Sequence, residues 1–234
     1  MIGDRLSKRM HMVASMVDES SVADIGCDHA FVSMYLISSG TAKKVVAMDV
    51  NKGPIGIAKE NVKMSGLQDK IDIRLSNGLE KLKEDEVECA VIAGMGGPLM
   101  VDILTRGRKH TLAGIHLVLQ PQSDIYKVRE YLYQIGYEII KEDMLVEEGK
   151  FYTAFKAVPE REQITPYSEE ELHFGRYLLI HRHPVLREYL QKEINISKSL
   201  LDKLQEATSD KSRERRTDVI ERIALLEKCL EHYQ

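Results

Sequence analysis

The chain has 234 residues, of which 43% are hydrophobic and 30% are charged, and its formal net charge is −4. This balance is typical of a globular protein, and it excludes a disordered acidic chain, a fibrous repeat and a histone-like, charge-driven nucleic-acid binder. No apolar run approaches the roughly 18 residues of a membrane span, and the charged N-terminus lacks the apolar stretch of a signal peptide. We therefore expect a cytoplasmic protein without a membrane segment.

Up to about residue 157, short β-branched or apolar runs alternate with stretches of helical period. This pattern predicts βαβ units around a mostly parallel sheet. The predicted strands cover residues 21–26, 45–49, 71–75, 89–93 and 116–120. The predicted helices cover residues 4–17, 29–38, 54–65, 99–106 and 123–135, with Ser123 as the N-cap of the last one.

Two further apolar runs, 137–146 and 151–158, are separated by an acidic turn that is too short for a crossover helix. They are therefore predicted to form an antiparallel hairpin. Five β/α steps closed by such a hairpin differ from the all-parallel sheet of the dehydrogenases. This α/β topology is typical of class I, Rossmann-like methyltransferases.

The composition changes at residue 159, where prolines and small polar residues mark a linker. Beyond it, Pro184 fits a first helical position, and two apolar stripes of helical period follow, one on each side of a polar break at residues 209–210. We expect a sheet domain over residues 1–158 and a coiled-coil-like helical hairpin over residues 159–234.

Ligands of open parallel sheets bind at the carboxyl ends of the strands, so the residues that follow each strand are candidates for a site. After the first strand these are Asp24, Gly26, Cys27, Asp28 and His29. A dinucleotide pyrophosphate prefers further glycines and a bare helix N-terminus, whereas these carboxylates favour a cationic ligand. The acidic turn therefore indicates S-adenosylmethionine, which carries an ammonium and a sulfonium.

The other strand ends supply the remaining candidates for cofactor binding. They are Asp49, Val50, Asn77, Gly78, Ala93, Gly94 and Met95. A carboxylate at Asp49 suits the ribose hydroxyls, and Asn77 suits the adenine edge. Each residue alone also fits an ordinary turn or helix cap, and the argument depends on their joint placement at successive strand ends.

The three cysteines, Cys27, Cys89 and Cys229, are far apart and have no metal-ligand spacing. We expect no disulfide framework and no metal site. Cys27 stands beside the predicted site, where it is interpreted as a small filler and not as a nucleophile.

Four segments carry a family resemblance: residues 6–9 (LSKR), 22–30 (VADIGCDHA), 92–97 (IAGMGG) and 119–122 (LQPQ). Together they resemble the TrmK family of bacterial tRNA (adenine-22-N1)-methyltransferases over essentially the whole chain. The resemblance implies a methyltransferase domain that uses S-adenosylmethionine, a helical C-terminal domain and an adenine of tRNA as the target. Asn77 departs from the pattern, because related methyltransferases commonly have an aspartate there.

Methyl transfer to adenine N1 needs alignment and charge stabilisation more than a strong base. We expect Asp28 to accept a hydrogen bond from the target base, Gln120 and Gln122 to hold its edge, and Phe31 to stack on it. The predicted tRNA contacts are Phe31, Arg5, Lys8, Arg9, Arg106, Arg108 and Lys109. Beyond tRNA we expect no membrane partner, and a monomer or weak homodimer.

Two other function classes remain open at this point. A methyltransferase of a protein, a small molecule or another RNA would share the cofactor residues without needing basic patches. A non-catalytic module would tolerate a degraded site, yet this site keeps its acids and glycines. A dehydrogenase that binds NAD is disfavoured by the absent second glycine and by the hairpin.

Overall fold

The alternating runs of the first half of the chain form one seven-stranded sheet with helices on both faces. We analysed a computed structural model, which describes residues 6–160, 164–205 and 210–234. The strands are β1 Ser21–Ile25, β2 Lys44–Asp49, β3 Ile71–Leu75, β4 Cys89–Met95, β5 His116–Pro121, β6 Tyr137–Glu147 and β7 Lys150–Pro159.

The strand order is β3-β2-β1-β4-β5-β7-β6. Strands β1 to β5 pair in parallel, whereas β7 runs antiparallel to both β5 and β6. The turn between β6 and β7 has Glu148 at φ 50° and Gly149 at φ 74°, the left-handed pair that a two-residue hairpin requires. The predicted sheet and its closing hairpin are therefore confirmed.

In the described part of the chain, six helices accompany the sheet: α1 Lys8–Ala14, α2 Phe31–Ser38, α3 Lys52–Met64, α4 Gly97–Arg106, α5 Arg108–Leu112 and α6 Ile125–Gln134. Helix α1 begins later than predicted, because the Ser7 hydroxyl accepts a hydrogen bond from the Met10 main-chain N–H at 3.3 Å and caps it. Ser123 as the N-cap of α6 was wrong, since Asp124 holds that position at φ 48° without a side-chain cap. The short helix α5 was not predicted.

The sheet has a hydrophobic core on each face. On one face, residues such as Val13, Met34 and Ala58 from α1, α2 and α3 are buried. On the other, Leu104 of α4 and Leu132 of α6 are completely buried. Each such side chain of Leu or Met size contributes about 1.5–3 kcal/mol to folding. Both faces of the parallel strands are thus covered, and the carboxyl edge stays open to a ligand.

Contacts divide the chain into two compact units, Met1–Pro166 and Tyr167–Gln234. The division falls eight residues beyond the predicted boundary at residue 158. The second unit contains α7 Glu169–Phe174, α8 Arg176–Ile180, α9 Pro184–Gln205 and α10 Asp210–Glu231. Among the described residues, no helix is long and apolar enough to cross a membrane.

The apolar stripes of α9 and α10 pack on each other. Leu190 and Leu226 are completely buried, and Lys198 of α9 pairs with Glu227 of α10 at 2.7 Å. Helix α9 begins at Pro184, as predicted. The predicted break between the stripes includes Ser209, which lies outside the described residues.

A buried ion pair joins helix α6 to the hairpin. Arg129 and Glu142 are 1% and 3% exposed, and the Arg129 Nε lies 3.0 Å from the Glu142 Oε1. Removing one member of such a pair leaves an uncompensated buried charge.

Replacing Glu142 by alanine should therefore lower the free energy of unfolding by about 3–5 kcal/mol. Denaturant titration followed by circular dichroism measures this change. The matched control is Lys127→Ala, which removes an exposed ion pair to Asp124 in the same helix and should have a much smaller effect. If both variants lost the same free energy of unfolding, the buried ion pair would not have the stabilising role that we assign to it.

Candidate active site

The turn after β1 lies against the end of β2. The main-chain N–H groups of Gly26 and Cys27 both donate to the carbonyl oxygen of Met48, at 2.7 and 3.0 Å. Gly26 has φ +73°, and a Cβ there would lie 2.2 Å from the terminal methyl of Met95. The backbone conformation therefore requires glycine, and a side chain here would also displace the flexible end of Met95.

The Asp49 carboxylate connects this turn to the next one. Its Oδ2 accepts the Asp28 main-chain N–H at 3.2 Å, and its Oδ1 accepts the Asn51 main-chain N–H at 2.8 Å. The Asp49 main-chain oxygen accepts the Ser76 N–H at 2.9 Å. One residue thus holds together the ends of β1, β2 and β3. Each carboxylate oxygen keeps a further lone pair for a ligand.

Asp24 is buried at the bottom of the first turn, where the Ser33 hydroxyl of α2 donates to its Oδ2 at 2.5 Å. Burial raises the pKa of Asp24 to about 6, and the negative charge of Asp49 adds to this effect. An ammonium brought beside this carboxylate would restore its charged form. Ser33 was not predicted, since a serine inside a helical stretch gives no distinctive sequence signal.

Asp28 differs from Asp24 in its exposure. Its backbone has φ 49°, and its side chain is 70% exposed, with Oδ1 3.5 Å from the Nε2 of His29. His29 also meets the ring of Phe31 edge to face, with 5.9 Å between the ring centroids. These three side chains line the same cavity as Asp24, and Asp28 is the most exposed of its carboxylates.

Asn77 follows β3 on the other side of Asp49. Its amide nitrogen donates to the Glu80 Oε1 at 3.1 Å, so its amide oxygen points away from Glu80. Nearby, the side chain of Val50 is 59% exposed although it is apolar. An exposed aliphatic group beside a hydrogen-bonding edge suits a planar base.

Gln120 has a supporting role that differs from the predicted one. Its side chain is completely buried, so the expectation that it holds the edge of the target base was wrong. Its Oε1 accepts the Arg9 Nη1 and the Gly94 main-chain N–H, both at 3.2 Å. Gln120 therefore connects α1 to the end of β4.

Arg9 is also placed differently from the prediction. It was expected to meet tRNA phosphate, but its guanidinium turns inward toward Gln120 and lies 5.1 Å from the ring centroid of Tyr152. The side chain lines the same cavity as Asp24 and Asp28. Helical period alone could not show this, because a long side chain can bend away from its helix face.

Two adjoining cavities of about 290 Å³ each lie along this edge. They share Gly26, Ala93 and Gly94. The first is also lined by Asp24, Cys27, Asp28 and His29, and by Arg9, Met10, Phe31 and Val32. The second is also lined by Asp49, Val50, Asn77, Gly78 and Met95, and by Ile25, Asn51, Ser76, Leu99 and Ile103. All twelve residues predicted for the cofactor thus line one or both cavities.

The remaining predicted residues lie around or away from this edge. Gln122 is exposed next to Gly94. Lys8, Arg108 and Lys109 are exposed, and Arg5 lies outside the described residues. Arg106 is paired with Asp102 at 2.7 Å and with Glu80 at 3.0 Å, which weakens the case for a phosphate contact.

Cys27 is buried, and burial raises the pKa of its thiol well above the usual range. A thiol that stays protonated is a poor nucleophile, in agreement with its interpretation as a filler.

A cluster of two carboxylates and a histidine lies at the opposite edge of the sheet. Asp18, Glu19 and His116 bring their ligand atoms together, with the His116 Nδ1 2.5 Å from the Glu19 Oε1. The ammonium of Lys156 pairs with both carboxylates, so this group of side chains already contains one cation.

A parallel sheet closed by an antiparallel hairpin, with an acidic glycine turn after β1 and a carboxylate on the last residue of β2, defines a class I methyltransferase. The sequence matches the TrmK family, tRNA (adenine(22)-N(1))-methyltransferase, over residues 22–228. The chain belongs to this family. The predictions of family, fold class and enzyme class are confirmed.

Individual relatives agree with this assignment. The chain is 31% identical to the tRNA (adenine(22)-N(1))-methyltransferase of Bacillus subtilis, over 97% of this chain and 98% of that protein. The crystal structure of the B. subtilis TrmK superposes with a TM-score of 0.86 at 30% identity, covering 97% of this chain and 99% of that one. The M. capricolum TrmK in complex with S-adenosyl-homocysteine gives 0.84 at 25% identity, covering 98% and 99%.

The raised pKa of Asp24 predicts a pH dependence of stability. The folded chain keeps the Asp24 proton up to about pH 6, whereas the unfolded chain loses it near 3.8, so the folded form is favoured at low pH. We expect the stability of the wild type relative to Asp24→Asn to fall by about 3 kcal/mol as the pH rises from about 4 to about 6, and then to level off.

Denaturant titrations of both proteins across this range measure the difference. Because the asparagine is neutral throughout, other titrating groups cancel in the comparison. A stability difference that does not change with pH would contradict the burial of an ionisable Asp24.

Proposed function

We propose that the two cavities hold S-adenosylmethionine and that their opening admits adenine 22 of a tRNA, whose N1 receives the methyl group. S-adenosylmethionine is the cofactor, as the sequence predicted, and the M. capricolum relative binds the corresponding product. The observation that carries the proposal is the split site, with carboxylates along both cavities and an exposed carboxylate at the opening.

The second cavity fits the adenosine part. The free lone pairs of Asp49 accept the ribose hydroxyls, since both its oxygens are already fixed by main-chain N–H groups. The exposed side chain of Val50 packs on one face of the base. The amide oxygen of Asn77 accepts a hydrogen bond from the adenine amino group.

The first cavity fits the methionine part. Asp24 binds the ammonium group and, once charged, compensates it. Arg9 binds the carboxylate, because among the described residues that line this cavity it is the one arginine or lysine. The hydrogen bond from Arg9 to Gln120 holds the guanidinium in place. This proposal replaces the predicted phosphate contact of Arg9.

S-adenosylmethionine supplies a methyl group activated by a sulfonium. Adenine N1 has its own lone pair, so the chain removes no proton from it. The task of the site is to hold N1 in line with the methyl group, exclude water and stabilise the positive charge that moves onto the base. Asp28 stabilises this positive charge by accepting a hydrogen bond from the amino group of the target base. Its side chain is exposed, so the base can reach it.

The target base needs a surface to stack on and groups to hold its edge. Phe31 lines the opening and offers a ring. Gln122 lies beside Gly94, where its exposed amide meets the base edge. Phe31 and Gln122 thus keep the roles predicted for them toward the target base, whereas Gln120 holds Arg9 in place.

A tRNA extends well beyond these cavities, so other surfaces must position it. Lys8, Arg108 and Lys109 are exposed cations suited to phosphate. The helical unit Tyr167–Gln234 would hold the body of the tRNA and limit which adenine enters. A tRNA substrate also favours the cytoplasm as the place of action.

Incubating the protein with labelled S-adenosylmethionine and unmodified tRNA tests the proposed reaction. Nucleoside analysis and mapping should find 1-methyladenosine at position 22. Label transferred to protein or to a small molecule, and not to tRNA, would favour the alternative class of methyltransferase and contradict the proposal.

Asp28→Asn tests the assigned role of the exposed carboxylate. The variant should lower the single-turnover rate on tRNA by about 10–100-fold, because the neutral amide stabilises less positive charge on the base. The affinity for S-adenosylmethionine, measured by calorimetry, should stay within a few-fold. If cofactor affinity falls as much as the rate, Asp28 binds the methionine part instead.

A further inference from the structure

A chain of polar side chains continues outward from Asn77. The Glu80 Oε1 that accepts from the Asn77 amide at 3.1 Å also accepts from the Arg106 Nη1 at 3.0 Å. Arg106 is held in turn by Asp102, whose Oδ2 accepts from its Nε at 3.0 Å and from its Nη2 at 2.7 Å. Asn77 is therefore connected to helix α4.

The orientation of the Asn77 amide matters for the choice of ligand. An amide has a donor end and an acceptor end, and either end fits the same space. A carboxylate at this position would present acceptors in both orientations. With asparagine, a neighbouring group has to decide which end faces the cavity.

We propose that Glu80 is a positioning residue that turns the Asn77 amide oxygen toward the cavity and so selects a 6-aminopurine over a 6-oxopurine. A carboxylate only accepts hydrogen bonds, so Glu80 binds the NH₂ end of the amide and leaves the oxygen for the ligand. The inference rests on the proposed function, since it takes the second cavity as the adenosine site.

Arg106 gives Glu80 its fixed position. Its guanidinium bridges Glu80 and Asp102 with three nitrogen atoms, a geometry that a lysine ammonium does not reproduce. Arg106 was predicted to contact tRNA, and this network assigns it to the cofactor side instead. Its charge compensates carboxylates of the chain itself.

The test compares the binding of two ligands by calorimetry, S-adenosylhomocysteine and S-inosylhomocysteine. They differ in the purine, which has a 6-amino group in the first and a 6-oxo group in the second. The wild type should prefer the first by about 10–100-fold, the range expected when a polar group meets the wrong partner.

Glu80→Gln should reduce this preference to about threefold or less, or reverse it, because a glutamine also donates and lets the Asn77 amide turn around. The double variant Asn77→Asp with Glu80→Gln should regain the preference, since the new aspartate accepts through both oxygens and the new glutamine donates to it. The matched control is Glu84→Gln, an exposed glutamate four positions further along that lines neither cavity.

The outcomes separate the inference from the proposed function. If the wild type binds neither ligand, the cavities are not the adenosine site and both proposals fail. If the wild type discriminates and Glu80→Gln discriminates equally well, the function stands and the positioning role is overturned. A double variant that binds S-adenosylhomocysteine but does not regain the preference also overturns it.

Discussion

The hydrogen bonds of the Asp49 carboxylate hold two neighbouring turns of the candidate site in place. It accepts the main-chain N–H of Asp28 from one turn and that of Asn51 from the next. Without it, the acidic turn after β1 would keep its two main-chain bonds to Met48 but lose the hydrogen bond from the Asp28 N–H, and the second cavity would lose part of its lining. The same carboxylate faces the second cavity, so one group both builds the site and offers acceptors to a ligand.

Electrostatics gives this edge its preference for a cationic ligand. Asp24, Asp28 and Asp49 bring three carboxylates to two small cavities, and Asp24 is buried deeply enough to raise its pKa to about 6. A pyrophosphate would meet repulsion here, whereas an ammonium and a sulfonium compensate the charge. Arg9 adds a positive charge to the first cavity, where we propose that it binds the carboxylate of the ligand.

The sequence predicted which residues come together along the two cavities because their positions follow from topology. Parallel strands bring their carboxyl ends to one edge, so Asp24, Asp49 and Asn77 had to meet once the strands were recognised. Side-chain direction was harder to predict. Gln120 ends a strand like the others but points into the protein, and Arg9 bends inward from a helix. Neither orientation can be predicted from the spacing of residues in the sequence.

The predicted starts of two helices were also wrong, because in each case the residue before the helix has a left-handed backbone conformation. Helix α6 begins at a residue in a left-handed conformation, Asp124, and not at the serine that precedes it. Helix α2 begins after Ala30, which has φ 61°. Such conformations are uncommon for residues other than glycine, so the residue types alone did not indicate where these helices begin. The glycines and carboxylates of the site were easier to find, since their chemistry is specific.

Methyl transfer in this site requires the lone pair of adenine N1 and no proton removal by the chain. Single-turnover reactions with two tRNA transcripts test this most directly, one carrying adenine at position 22 and the other 1-deazaadenine, in which a C–H group replaces N1. We expect the first transcript to be methylated at N1 and the second to bind but to receive no methyl group. Methylation of the 1-deazaadenine transcript at position 22 would show that another atom is the acceptor and would contradict the proposed alignment.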